Sequence, residues 1–245
     1  MKLITWNSAG RFAETASFLF AENPDIAIIQ ECLKSTVSSV KPVGYEALWF
    51  GDERSKGIAV FCKSPFRIGQ IASQTHKWKW VIPIHVTGPE KFTLIAVWSC
   101  PPKSSIPAYI KLIREAVDAN EDWFQDGPVI MAGDFNSNLM WDKPRSENHK
   151  NLVEKLAQLG LESVFHSRLR VSQGKEIKHH TFLRYWKKAQ KTHEQWSNGE
   201  TFHIDYIFVP QEWLSRIDHF EIGDCTRWGV HSDHLPLLAS FKGAE

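Results

Sequence analysis

Short apolar runs that end in a polar residue constrain the fold more than any other feature of this sequence. Three of them are Leu3–Trp6 before Asn7, Ile26–Ile29 before Gln30 and Glu31, and Val129–Ala132 before Gly133 and Asp134. Runs of this length without polar alternation predict strands that are buried on both faces. Because a sheet brings the ends of its strands together, we expect the polar residues to converge at one rim.

The remaining pattern predicts an α/β chain with many strands. Further strands are predicted over residues 46–50, 57–62, 66–72, 80–86, 92–98, 202–209 and 235–241, and helices over 11–22, 106–124 and 148–159. We find no linker, repeat or low-complexity tract that divides this series. The sequence therefore predicts one domain over residues 1–245, with sheet packed on sheet and helices outside.

Composition excludes several classes of protein. Apolar residues make up 42% and charged residues 23% of the chain, as in ordinary globular proteins rather than disordered or collagen-like ones. The longest apolar runs fall far short of the ~18 residues of a membrane span, and the N-terminal run is too brief for a signal peptide. Four scattered cysteines indicate free thiols in a reducing compartment. We therefore expect a cytoplasmic protein without a membrane partner.

Positive charge is concentrated between residues 166 and 193. This segment holds eight lysines and arginines against one acid, whereas the remainder holds 21 bases against 27 acids. Phe182, Tyr185 and Trp186 lie among these cations. Such a mixture suits nucleic acid, because cations bind phosphates and aromatic rings stack on bases. A solvated loop or helix face remains the structural alternative.

Acids at the predicted rim point to a cation. Glu31, Asp134 and Asp233 follow or precede apolar strands, and Asp205 interrupts another. Carboxylates gathered at one rim would repel each other unless a cation lay among them. Oxygen ligands favour Mg²⁺, Mn²⁺ or Ca²⁺ over zinc. His234, next to Asp233, adds a group that can exchange a proton.

Five of these motifs, in this order, resemble the endonuclease/exonuclease/phosphatase superfamily. They are Thr5-Trp6-Asn7, Gln30-Glu31, Gly133-Asp134-Phe135-Asn136, His203-Ile204-Asp205-Tyr206-Ile207-Phe208 and Ser232-Asp233-His234. The resemblance covers nearly the whole chain. It implies a four-layer α/β/β/α sandwich of two central mixed sheets flanked by helices, and hydrolysis of a phosphoester with Mg²⁺ or Mn²⁺.

The resemblance also implies roles for individual residues. Glu31 is expected to be the principal metal ligand, with Asn7 assisting and Asp233 as a further carboxylate of the metal site. A metal would neutralise the phosphodiester and lower the pKa of the attacking water.

Four more residues are expected to take part in catalysis. Asp134 would orient or deprotonate the attacking water, and Asn136 would contact the phosphate or the metal. His234 would contact the scissile phosphate or transfer a proton, while Asp205 would hold its imidazole by a charge-assisted hydrogen bond.

Two departures from the superfamily pattern qualify the comparison with abasic-site and pancreatic-type enzymes. Asn7-Ser8-Ala9 supplies no acid two residues beyond the asparagine, which weakens a second metal position and the assignment as an abasic-site enzyme. Trp98 stands where those enzymes carry tyrosine or histidine. An indole cannot act as a general acid, so leaving-group protonation occurs elsewhere or the enzyme depends more on its metal. We place Trp98 among the substrate contacts.

The sequence therefore predicts a metal-dependent phosphodiesterase, most simply a nuclease acting on DNA or RNA. The predicted contacts to nucleic acid are Trp98, Arg184, Trp186, Lys187, Lys188 and Lys191. One alternative is a phosphatase or phosphodiesterase of a small phosphorylated molecule. Another is a binding protein of the same fold without activity.

Overall fold

The computed structural model describes residues 1–52, 56–71, 78, 80–100, 106–144, 147–170, 180–183 and 201–243, and the side chains of all of these except 106 and 107. The strands are β1 Lys2–Asn7, β2 Ile26–Leu33, β3 Tyr45–Gly51, β4 Lys56–Lys63, β5 Arg67–Gln70, β6 Val81–Thr87, β7 Phe92–Trp98, β8 Val129–Asp134, β9 Leu161–Ser163, β10 Phe182–Leu183, β11 Thr201–Phe202, β12 Asp205–Pro210, β13 Ile217–Ile222 and β14 Leu237–Phe241. The helices are α1 Phe12–Phe20, α2 Lys34–Val40, α3 Ile106–Ala119, α4 His149–Gln158, α5 Val164–Leu169 and α6 Cys225–Trp228.

The strands form two six-stranded sheets and one small pair. The first sheet has the order β13-β14-β1-β2-β4-β3, the second has the order β5-β6-β7-β8-β12-β9, and β10 pairs with β11. Strand β1 is parallel to β2, and β7 is parallel to β8, while the other neighbouring strands are antiparallel. Helices cover the outer faces of both sheets. The predicted sandwich of two mixed sheets between helices is confirmed.

The purely apolar strands follow from this layering, because each inner strand is covered on both faces. Leu3 and Leu94 belong to the core between the two sheets. Their neighbours point the other way: Ile4 packs with α1, and Ile95 packs with α3 and α4. Full burial of each such side chain contributes roughly 1.5–3 kcal/mol, and it does so on both faces of the sheet.

The long predicted helix over 106–124 is shorter in the structure. Helix α3 ends at Ala119, and a separate 3-10 turn covers Glu121–Phe124. The Asn120 side chain donates from Nδ2 to the Ala116 carbonyl at 2.7 Å, and so occupies the acceptor that the next helical amide would need. Asparagine therefore ends this helix by competing with the backbone.

The predicted strand over 202–209 is interrupted. Thr201–Phe202 pairs with β10, whereas Asp205–Pro210 pairs with β8 and β9 in the second sheet. Between them, the backbone N–H groups of Ile204 and Asp205 both donate to Thr181 Oγ1, at 3.0 and 3.1 Å. The threonine hydroxyl thus replaces the strand ladder at the point where the chain changes sheets.

Several short elements were not predicted from the sequence. These are α2, α5, α6, β9, β10 and β13. Helix α2 is rich in serine and threonine and lacks a clear apolar period, but it buries Thr36 and packs Val37 and Val40 against the layer that also contains α1. Tertiary packing outweighs its weak local preference for helix.

The four cysteines are free thiols, with Cys32 and Cys62 buried. Burial raises the pKa of both of these thiols to about 12, which keeps them protonated and unreactive. Among the described residues, no helix combines the length and the apolar character needed to cross a bilayer.

Gly133 allows the two strands that approach the polar rim to pack closely. It lies in β8 with φ +149°, and a Cβ there would lie 1.9 Å from the carbonyl oxygen of Val97 in β7. We expect Gly133→Ala to lower the free energy of unfolding by more than ~3 kcal/mol, because both the backbone conformation and the contact are incompatible with a side chain. Chemical denaturation followed by tryptophan fluorescence measures this loss.

Gly160→Ala is the matched control. Gly160 also has a positive φ, +82°, but a Cβ would meet no atom within 4 Å. Only the backbone strain of about 1–2 kcal/mol is expected there. Equal losses for the two variants would show that the close contact with Val97 does not limit the fold.

Candidate active site

The polar residues that end the apolar runs meet at one end of both sheets. Asn7 is the last residue of β1, and Asp134 is the last residue of β8. Strand β12 runs antiparallel to β8 and begins at Asp205, which pairs directly with Asp134. One rim of the sandwich therefore collects the ends of strands from both sheets.

The side chain of Asn7 joins the two sheets at this rim. Its Nδ2 donates to Asp134 Oδ2 at 3.0 Å and to Glu31 Oε1 at 3.3 Å. Its Oδ1 accepts a hydrogen bond from the Ala9 backbone N–H at 3.0 Å, which fixes the orientation of the amide. A single buried amide thus positions one carboxylate from each sheet.

Glu31 reaches the rim because β2 contains a bulge. The register between β2 and β4 shifts after Ile29. Ile29 pairs with Ala59 and Cys32 pairs with Gly57, so β2 advances by three residues where β4 advances by two. Glu31 lies in this bulge with φ +58°, a conformation that a glutamate rarely adopts. Its side chain is 25% exposed, and its Oε2 lies 2.6 Å from Lys56 Nζ.

The loop after β8 surrounds the carboxylate of Asp134 with donors. The backbone N–H of Asn136 donates to Asp134 Oδ1 at 2.9 Å, and Asn136 Nδ2 donates to Oδ2 at 3.0 Å. The same amide nitrogen also donates to the Ser99 carbonyl at 3.1 Å. Asn136 has φ +48°, so this loop, like the bulge at Glu31, holds a strained backbone at the rim.

The environment of Asp134 favours its protonated form. Burial, together with the negative charge of Asp205, raises the pKa of Asp134 to about 7. The charge of His234 and the hydrogen bonds from Asn7 and Asn136 act in the opposite direction. This carboxyl can therefore exchange a proton near neutral pH.

Asp205 and His234 form a buried pair. His234 Nδ1 lies 3.0 Å from Asp205 Oδ2, and the two side chains are only 6% and 2% exposed. Burial alone would lower the pKa of the imidazole. The negative charges of Asp205 and Asp134 outweigh burial and raise the pKa of His234 to about 10.

Backbone contacts fix this pair on both sides. Thr181 Oγ1 accepts from the Asp205 backbone N–H at 3.1 Å. Ser232 Oγ accepts from the His234 backbone N–H at 3.0 Å and donates to the Asn7 carbonyl at 2.7 Å. The imidazole is therefore tied to the same strand end as the bridging amide.

Two groups of donors at the rim are suited to a hard cation. Ligand atoms of Asp134, Asp205 and His234 all lie within 4.8 Å of one another. The second group comprises Glu31 and Asn7, which are linked by a hydrogen bond. Asp233 is partly exposed, and its negative charge contributes to the raised pKa of His234, so this carboxylate also lies near the rim.

Aromatic residues lie next to His234. The Phe182 ring centroid lies 4.8 Å from that of His234, and Phe182 pairs across β10 and β11 with Phe202. Phe202 in turn contacts Trp141 at 4.6 Å between ring centroids. The side chains of Phe182, Phe202 and Trp141 are all partly exposed.

Of the six predicted substrate contacts, the structure describes only Trp98. The Trp98 Cα pairs in register with Asp134, but its side chain is only 7% exposed and packs 4.8 Å from Trp80 in the core between the sheets. Its contact with substrate stays a prediction. Arg184, Trp186, Lys187, Lys188 and Lys191 lie outside the described residues.

Sequence reasoning did not find Lys56, Thr181 or Trp141. Lys56 precedes an apolar strand and looks like an ordinary solvent-facing lysine until the bulge in β2 places Glu31 beside it. Thr181 lies within the basic segment and carries no signal of its own. For Trp141, the unusual number of tryptophans, 11, was the only available hint.

The sequence profile of the Endonuclease/Exonuclease/phosphatase family matches residues 4–234. No curated protein is significantly similar to the chain in sequence. Among solved structures, a 3′ phosphatase from Neisseria bound to a product DNA hairpin is similar with a TM-score of 0.70 and 19% identity, over 99% of each chain. An apurinic/apyrimidinic (AP) endonuclease from Leishmania major has a TM-score of 0.70 and 15% identity, over 99% of this chain and 88% of that one.

An AP endonuclease from Archaeoglobus fulgidus has a TM-score of 0.68 and 16% identity, over 99% of each chain. At these identities the similarity establishes a shared fold. It also shows that the whole described architecture, rather than one layer, has its counterpart in these proteins.

The raised pKa of His234 can be tested directly. We expect Asp205→Asn to lower that pKa toward the ordinary histidine value of 6.5, because the largest of the charges that oppose burial is removed. NMR titration of the imidazole resonances measures it. His231, whose pKa burial and Arg11 lower, is the internal control and should not change.

Asp205→Asn should also change how the free energy of unfolding depends on pH. A raised pKa means that the charged imidazole contributes stability that is complete below pH 6.5 and is lost as pH rises toward about 10. The difference in unfolding free energy between wild type and Asp205→Asn should therefore shrink over that interval. A difference that grows with pH would contradict the assignment.

Proposed function

The chain belongs to the Endonuclease/Exonuclease/phosphatase family, and from this membership we propose that it is a divalent-metal-dependent hydrolase of phosphodiester bonds in DNA or RNA. One observation carries the proposal. The Asn7 amide holds Glu31 and Asp134 together at the end of both sheets, beside the buried Asp205–His234 pair. This arrangement supplies a cation site, a proton acceptor and an oriented imidazole at one place.

We assign the metal, Mg²⁺ or Mn²⁺, to the Glu31 carboxylate and to Asn7 Oδ1, with Asp233 as a further carboxylate. Asn7 Nδ2 is a hydrogen-bond donor and cannot be a ligand, whereas among the described residues Oδ1 accepts only one hydrogen bond, from Ala9. The oxygens of Asp134 already accept three hydrogen bonds, and His234 Nδ1 is occupied by Asp205. Glu31 is partly exposed, and its partners are one amide and one lysine. A bound metal would neutralise the phosphate and lower the pKa of a water molecule.

Asp134 is proposed to orient and deprotonate the attacking water. Its pKa, raised to about 7, gives it the basicity that this task requires near neutral pH. The donors from Asn7 and Asn136 keep the carboxylate in one orientation. Asn136 lies between Asp134 and the Ser99 carbonyl, where its amide can also contact a phosphate oxygen.

His234 is proposed to bind the scissile phosphate through Nε2. Asp205 holds Nδ1, so Nε2 is the nitrogen left to face the substrate. The positive charge that Asp205 maintains on the ring favours contact with an anionic phosphate. Asp205 acts here by orienting the imidazole.

Two features favour nucleic acid over a small phosphorylated molecule. The rings of Phe182, Phe202 and Trp141 extend from His234 and are suited to stack on a base or pack on a sugar. Leu183 is the last described residue before the cationic stretch that contains Arg184. Its backbone N–H donates to the Asp233 carbonyl at 2.7 Å, so this stretch begins beside the rim. The described chain resumes at Thr201, which pairs with Leu183.

Replacing the proposed metal ligand should remove activity without unfolding the protein. We expect Glu31→Gln to lower turnover of plasmid DNA or RNA by at least ~10²-fold, and to weaken Mn²⁺ binding, since a neutral amide is a poorer ligand for a hard cation. Circular dichroism should show an unchanged fold. Glu14→Gln, at a 68% exposed glutamate on α1, is the control and should retain full activity. Undiminished cleavage after treatment with EDTA would refute the metal dependence.

Neutralising the cationic stretch should affect nucleic acid and spare small substrates. In a variant with Arg184, Lys187, Lys188 and Lys191 replaced by serine, we expect a raised KM for nucleic acid. The salt dependence of binding should also flatten by about 0.7–0.9 in log–log slope for each lost phosphate contact. Hydrolysis of a chromogenic phosphodiester should stay unchanged.

The control neutralises four lysines elsewhere, namely Lys63, Lys111, Lys150 and Lys242. It changes net charge equally, and it should leave the salt slope close to that of the wild type. If both variants bind nucleic acid as the wild type does, the small-molecule phosphodiesterase becomes the better assignment.

A further inference from the structure

We propose that Lys56 is an active-site cation that supplies the positive charge a second divalent ion would otherwise bring, so that the enzyme works with one metal. The inference rests on the proposed function and assigns to this chain a substrate-facing charge that the sequence motifs do not contain. Three features of the described structure support it: the contact with Glu31, the space beside Gly10, and the neutral residues that follow Asn7.

The first feature is the direct ion pair with the proposed metal ligand. Lys56 Nζ lies 2.6 Å from Glu31 Oε2, while Asn7 donates to the other oxygen, Oε1. The lysine side chain is 43% exposed, so the protein does not enclose it at this contact. A cation in this place can meet an anionic substrate.

The second feature is the space beside Gly10, which the lysine side chain occupies. Gly10, in the loop that follows β1, has φ +79°. A Cβ at Gly10 would lie 2.7 Å from Lys56 Cε and 2.9 Å from its Nζ. The ammonium group therefore lies against the backbone just beyond Asn7, and it does so because position 10 has no side chain.

The third feature is the absence of an acid in this loop. Ser8 and Ala9 follow Asn7; the Ser8 hydroxyl donates to the Gln30 carbonyl at 3.1 Å, and the Ala9 backbone N–H donates to Asn7 Oδ1. Among residues 7–10, all of them described, none carries a carboxylate that could hold another cation. The space next to Glu31 is instead filled by the ammonium group of Lys56.

These contacts have a consequence for metal binding. A divalent ion on Glu31 would compete with Lys56 for Oε2 and would be repelled by the ammonium charge. A partly exposed pair of this kind is weak, so Lys56 could give up this oxygen. Its ammonium group would then stay beside the site, where it could bind a phosphate oxygen of the substrate. Lys56 thus weakens metal binding and strengthens transition-state binding.

The test compares Lys56→Met, which keeps the length of the stem, with Lys56→Arg, which keeps the charge. Binding of Mn²⁺ alone is measured by electron paramagnetic resonance of the free ion, and kcat/KM for nucleic acid is measured at saturating Mn²⁺. Lys63→Met is the control, because Lys63 lies at the opposite end of the same strand and contacts Asn23. Thermal unfolding of each variant checks that the chain is folded.

We expect wild type to bind one Mn²⁺ per chain. Lys56→Met should bind it roughly three- to tenfold more tightly, since the competing charge is gone. The kcat/KM of Lys56→Met should fall by about tenfold or more. Lys56→Arg should stay close to the wild type in Mn²⁺ affinity and in kcat/KM, and Lys63→Met should match the wild type in both quantities.

Two bound Mn²⁺ ions in the wild type would overturn the assignment of Lys56. So would an unchanged Mn²⁺ affinity or an unchanged kcat/KM in Lys56→Met. A wild type that binds no Mn²⁺ would overturn the proposed function itself, and the role of Lys56 with it. The failure of one proposal is therefore distinguishable from the failure of the other.

Discussion

The hydrogen bonds of one buried amide hold the two halves of this rim together. Asn7 belongs to the first sheet, and its Nδ2 reaches Asp134 in the second sheet and Glu31 in the first. Ser232 fixes the backbone of Asn7 from the segment that carries His234. Because buried polar groups must be satisfied, this network fixes the positions of the acids relative to one another, across sheets that are already packed through their apolar core.

The rim concentrates features that destabilise a fold. Glu31 and Asn136 both have positive φ, and Asp134, Asp205 and His234 are buried as ionisable groups. The surrounding structure determines the place of these residues: a bulge holds Glu31, three hydrogen bonds hold the carboxylate of Asp134, and a hydroxyl group holds the backbone of Asp205. Strain and burial at the same place are typical of sites where geometry must be held rather than adapted.

The sequence predicts the layers and the members of the rim for a common reason. Strands covered on both faces need unbroken apolar runs, so a polar residue such as Asn7 or Asp134 stands out where the run ends. The partners of these residues cannot be predicted in this way. Lys56 meets Glu31 only through a register shift between β2 and β4, and the break before Asp205 depends on a hydroxyl 24 residues away. Such contacts depend on pairing across the fold, which local pattern does not contain.

Strand β1 lies between β2 and β14 in the first sheet, with Ile4 opposite Leu238. During synthesis on the ribosome, β14 emerges more than two hundred residues after β1. Until then, an apolar strand that is buried on both faces in the finished protein has one edge open. The same delay applies to the rim, since His234 is the last of the rim residues to leave the ribosome. The nascent chain therefore exposes an unpaired apolar strand edge during synthesis, and it cannot assemble its full set of polar rim residues before nearly all of it has been made.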